Sequence, residues 1–375
     1  MYIAVNIALL LGALVKDKKS FSKNIYWILF IVLWLMLSLR YGQGTDYFGY
    51  YFIHSRNLSL FDAIHNTHQT HSEIGFRLLC WLFRENYTYL IVFVSTVEMM
   101  LLHRFIKNYS SNASMSLLLV YPTIYLTYFF SAIREGIVIS IFIGIMIECV
   151  ERKKFKTYFM LSALCCTIHT VSILLFFVPL IIKISTKKMV RFAVVSFIIG
   201  IFFWIFNFYT IIQYVPFVGK MVSSYSPQIS YMALLERIIM YILVLWLYYG
   251  DRNKEQTKSI DILFNIYTFG IIGYFILLSF PLVSSRVAIL FKAVEIVLVP
   301  ALYSKSSIKI RDKQIIVFII VLISLVMTIK NINSYISQGH YNSDITVFNY
   351  PYVSIFEKDD IWMYRESNIY YELVD

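Results

Sequence analysis

A few polar clusters interrupt an otherwise apolar chain, and each carries residue types suited to anions or to moving protons. The first, RYGQGTDYFGYY at 40–51, sets Arg40 and Asp46 among tyrosines, Tyr47 next to the acid, with Gly42 and Gly44 freeing the backbone to approach a ligand. A turn leaving a membrane, with tyrosines at the interface, would look similar. The second, HSEIGFRLLCWLFRE at 71–85, has apolar positions that suit an amphipathic helix lying on a membrane surface. Glu73 and Arg77 sit one turn apart on it, either as a site pair or as a plain i,i+4 ion pair. The third is Arg134–Glu135 in FFSAIREGIVISIF, a tight turn with almost no other polar sequence to keep it in water. Snorkelling accommodates a lone arginine, but an adjacent Arg and Glu demand a partner or an anionic ligand. His169, inside the apolar CCTIHTVSILLFF, is either a hydrogen-bonded helix contact or a catalyst, and Arg286 in PLVSSRVAILF repeats the Arg134 pattern. Within apolar runs, Lys292 and Glu295 are spaced i,i+3 to satisfy each other, and Glu98 and His103 suit internal pairs.

The elements that position these residues are membrane helices. Of 375 residues 59% are hydrophobic and 15% charged, against about 45–50% and 25% in soluble domains. Mean hydropathy is +0.68. Apolar runs cover approximately 1–15, 24–39, 87–106, 113–131, 133–150, 157–182, 189–206, 233–250, 260–280, 286–303 and 314–330. The pattern predicts an all-α polytopic membrane protein, 1–375 as one transmembrane domain, with about ten full spans plus a broken or re-entrant hairpin. The net charge of +11 comes largely from lysine clusters between runs, which mark cytoplasmic loops rather than a nucleic-acid surface. The run 157–182 has lysines at both ends, so one crossing would erase the inside bias. Two half-helices with an apex near 167–169 restore it and place the apex near a site. The external face then carries 40–86, 207–232, the turns at Arg134 and Arg286, the His169 apex and the tail 331–375. Its basic residues are mostly arginine (Arg40, Arg56, Arg77, Arg84, Arg134, Arg237, Arg286, Arg365), whose planar fork suits phosphate and carboxylate. The four cysteines lack CxxC spacing, and no nucleotide-binding loop or metal-ligand motif is present.

In these motifs the chain resembles bacterial O-antigen and exopolysaccharide polymerases of the Wzy and EpsG type. The resemblance rests on RYGQGTDYFGYY, Glu73-Ile74-Gly75-Phe76, SAIREGIVISIF, TIHTVSILLFF, SSRVAILF and Asn349-Tyr350-Pro351-Tyr352, in order over nearly the whole chain. Two mild departures are Glu135, where Gln often follows the arginine, and Thr170, where Ser commonly follows the histidine. The resemblance implies transfer of a growing glycan from undecaprenyl diphosphate to a second lipid-linked repeat unit, at the external face of the bacterial cytoplasmic membrane. It implies no metal or other cofactor, and a flippase and a chain-length regulator as partners. The residues it points to are Arg134 and Arg286, with Arg40, Arg77 and Tyr47, on the substrate. His169 is the first candidate base, and Asp46 and Glu73 orient the acceptor. Two other classes fit less well. A C-superfamily lipid-sugar glycosyltransferase would carry paired acids and a larger external domain. A lipid-linked oligosaccharide flippase would show internal repeats.

Overall fold

Proline, π turns and short breaks divide the apolar runs into helices of unequal length. The computed structural model describes residues 1–14, 19–206, 229–250, 256–306 and 309–365; most of the expected external loop 207–232 lies outside them. The described residues form helices with two isolated bridges and no sheet. Among the described residues five helices are long and apolar enough to cross a membrane: Tyr87–Tyr109, Thr186–Ile205, Tyr231–Tyr249, Lys258–Ile276 and Ile310–Gln338. They account for half of the ten or so spans expected. The other apolar helices, among them Tyr2–Leu14 and Ala113–Phe129, are shorter. Hydropathy averages over local backbone, whereas the run 286–303 is two helices, Pro281–Lys292 and Glu295–Lys305, parted at Ala293 and Val294. Likewise 133–150 is continuous helix with a π segment, Phe142–Met146, inside it.

Helix Phe155–Ile168 stops at His169, whose backbone is extended at φ −152°, and the chain turns back through Thr170–Phe177 and Val178–Ile181. Fourteen helical residues rise only about 21 Å, short of a 30 Å hydrocarbon core. The Tyr158 hydroxyl donates to the Leu175 carbonyl at 2.7 Å and ties the two arms together. Lys153 and Lys183, at the two ends, line a common cavity. Reporters fused after Lys154 and Lys187 should therefore read the same face, and reporters after Asn66 and Asn342 the other; opposite readings at Lys154 and Lys187 would refute the hairpin.

The last helix, Ile310–Gln338, runs two turns past the expected end at Lys330. It is joined to the first helix by Asn6, whose Nδ2 donates to Ser324 Oγ (2.9 Å) and Thr328 Oγ1 (2.7 Å), the kind of polar contact that substitutes for hydrophobic drive between helices in lipid. The tail then folds back on the loop after the second helix. Tyr41 N donates to Val353 O and Ile355 N to Leu39 O, both at 2.9 Å. Tyr350, 3% exposed, packs between Tyr2 and Tyr341.

Candidate active site

Glu73 occupies the N-cap position of helix Ile74–Leu82, yet its carboxylate leaves its own helix uncapped. It reaches instead to the hairpin break, where the backbone N–H and hydroxyl of Thr170 both donate to Oε1 at 2.9 Å. Arg134 Nη1 donates to Oε2 and, at 3.0 Å, to the His71 carbonyl. The approach depends on Gly75: a Cβ there would stand 2.4 Å from Thr167 Oγ1 and 2.7 Å from the Thr167 carbonyl oxygen. Burial alone would raise the Glu73 carboxyl, but contact with His169 and the Arg134 charge outweigh it and hold the group well below the usual carboxylate range.

His169 stands between two acids. Its Nδ1 is 3.5 Å from Glu73 Oε1, and its Nε2 is 3.9 Å from Glu135 Oε2. Arg286 Nε lies 4.0 Å from that same Glu135 oxygen. The result is a row of alternating character, Arg134, Glu73, His169, Glu135, Arg286, supplied by four separate elements. The carboxylate–imidazole contact on Nδ1 follows the logic by which an acid orients a histidine base.

The row ends on a cavity of about 490 Å³ whose walls include Asp46, Glu135, Arg286, Lys330 and Tyr128. Asp46 is brought there by the glycine loop. Gly44 has φ +92° and passes so close to the 130–131 turn that a Cβ would meet Phe130 O at 2.6 Å. Thr45 N donates to Ser131 Oγ at 3.1 Å and closes the contact. Arg365 fixes the loop from the tail by donating to Gly42 O at 2.6 Å. Arg365→Ala should lower the unfolding midpoint, since a buried bond from a charged donor contributes about 1.5–3 kcal/mol. An unchanged midpoint in detergent would show that the tail does not hold the loop.

Three residues read from the sequence as substrate ligands are placed elsewhere. Arg40, 1% exposed, donates to the carbonyls of Leu37 and Phe129 and stacks over Phe130. Arg77 directs its donors to the carbonyls of Ala63, Ser72 and Ile64, so Glu73 bonds Arg134 instead of Arg77. Tyr47, 2% exposed, packs edge-on against Tyr41, Phe48 and Tyr87. Arg237, expected at the external face, is buried with Lys292, Glu236 and Glu295. There Lys292 Nζ bonds Glu295 at 2.9 Å, as its spacing suggests, and also Glu236 at 2.8 Å. Among the described residues no group of three His, Cys, Asp or Glu side chains is arranged to hold a metal ion.

The family model described as EpsG matches residues 23–354, a stretch holding every member of the row and Asp46. The chain belongs to the EpsG family. It is accordingly a multi-pass membrane protein of the polysaccharide-polymerase type. No curated protein and no solved structure matches it. In this EpsG-family chain the member of the row that the sequence left without a role is Glu135. Its signal was present, an acid directly after an arginine in an apolar run, but its two neighbours, His169 and Arg286, come from distant elements.

Proposed function

We propose that this chain polymerises a bacterial surface glycan at the external face of the cytoplasmic membrane, transferring the growing chain from undecaprenyl diphosphate to a hydroxyl of a second lipid-linked repeat unit. The observation that carries the reading is the row of acids, histidine and arginines that ends on a polar cavity. In the reaction the bond between the anomeric carbon of the growing glycan and the diphosphate oxygen breaks, and the acceptor oxygen bonds to that carbon. Glu135 faces the cavity, so the acceptor proton passes to it and on to His169, whose far nitrogen is oriented by Glu73. Undecaprenyl diphosphate leaves with its charge met by Arg286. Arg134, tied to Glu73 at the other end of the row, is the second cation for the diphosphate. Asp46 orients the acceptor across the cavity. A flippase supplies the units, and a chain-length regulator is a partner for the product.

Deleting the gene tests this reading in cells. The polymerase reading requires single lipid-linked repeat units to accumulate on the outer surface. Units trapped inside would identify a flippase, and absence of the complete unit a transferase acting earlier. Arg286→Lys should fail to restore long polymer, because a point charge does not reproduce the guanidinium fork; normal chain lengths would remove Arg286 from the site.

A further inference from the structure

The two turns of the last helix beyond the expected span end face the cavity. Lys330, Ser334 and Gln338 recur at intervals of four, which places them on one helix face, and all three line the cavity along with Asp46 and Arg286. They span about 12 Å along the helix axis, the reach of a phosphate and one or two sugar rings. Among the described residues Lys330 has no carboxylate within ion-pairing distance. Of the charged groups that act on it, Glu236 is bonded to Lys292 at 2.8 Å and Arg237 is a cation. Lys330 also borders a smaller cavity of about 90 Å³ behind the first, on the side of that buried charge cluster. An ammonium that faces a cavity instead of an acid is matched by an anion supplied from outside.

We infer that this stripe is the acceptor subsite, which takes the phosphate and proximal sugars of a lipid-borne repeat unit. Lys330 holds the phosphate, and Ser334 and Gln338 bond sugar hydroxyls. Asp46 on the other side of the cavity keeps the reactive hydroxyl turned toward Glu135. The inference rests on the polymerase reading and divides its two substrates: the donor diphosphate belongs to Arg286 and Arg134, and the acceptor phosphate to Lys330.

The test is binding to the purified full chain in lipid nanodiscs. One probe is the lipid-linked repeat unit extracted from a deletion strain, the other undecaprenyl diphosphate alone. With the donor site removed by Arg286→Ala, Lys330→Met should weaken both by about tenfold or more, the size of a lost bond to a charged group, while Lys330→Arg retains most of the affinity. The double variant Ser334→Ala, Gln338→Leu should weaken the repeat unit and leave undecaprenyl diphosphate unchanged. Inorganic pyrophosphate should compete poorly; competition as strong as the lipid's would overturn the lipid-borne assignment. Unchanged binding of both probes by Lys330→Met would overturn the subsite while leaving the polymerase reading intact. A wild-type protein that binds neither probe would defeat both.

Discussion

His169→Gln should cut polymer synthesis by about 10²–10⁴-fold, the usual loss when a proton acceptor is removed from a reacting site. Glutamine is close to histidine in size and polarity, so the hairpin break should survive and protein level should stay normal. What it lacks is a group that takes up a proton. In the native chain that group lies 3.5 Å from Glu73 and 3.9 Å from Glu135, between the acid that orients it and the acid that faces the cavity. Glu135→Gln should therefore give a loss of the same order. The double variant should be little worse than either single one, because residues acting as one unit are not additive. A role in packing or in a surface ion pair predicts something quite different, at most about 1 kcal/mol of stability with polymer intact. Near-normal chain length from His169→Gln would make it a packing residue and move the base to Asp46, to be examined by Asp46→Asn.

The second large effect comes from a residue with no chemistry of its own. Gly75→Val should abolish long polymer, since the first carbon of any side chain would already stand 2.4 Å from Thr167 Oγ1 and 2.7 Å from its carbonyl. Thr167 lies near the end of helix Phe155–Ile168, and the hydroxyl that is struck donates to the Leu164 carbonyl at 2.7 Å, so backbone has to move. Overpacking of this kind costs about 1–3 kcal/mol, which a folded membrane protein survives. The functional loss should be far larger. Glu73 is two residues away and is held to Thr170 and Arg134 by directional bonds, and displacing a catalytic group by about 1 Å can reduce rate by 10²-fold. Gly75→Ala should lie between the two. Normal polymer from Gly75→Val, at normal protein level, would show that Glu73 need not lie against the hairpin.

How much of this was legible depended on whether a residue's partner was local. Glu73, Arg134, His169 and Arg286 could be read because each is a charged or titratable group among apolar neighbours, and the structure joins all four. The hairpin was readable from lysines at both of its ends. Arg40 and Arg77 are the same residue type in similar surroundings, yet they are engaged by backbone carbonyls that only the folded chain presents. Lys330 and Gln338 were hidden because hydropathy falls off before the helix does, so two helical turns read as tail. Helix boundaries inside a run were hidden for the converse reason: a two-residue break, as at Ala293 and Val294, leaves hydropathy unchanged while dividing a helix.

Polymerisation of lipid-linked units by this chain can be followed in a reconstituted system. The purified protein in vesicles, given repeat units extracted from a deletion strain, should produce a ladder of lipid-linked glycans. One undecaprenyl diphosphate should be released for each linkage formed. The ladder should vanish with Glu135→Gln. Units that stay single, whether they remain in place or move across the bilayer, would contradict the account.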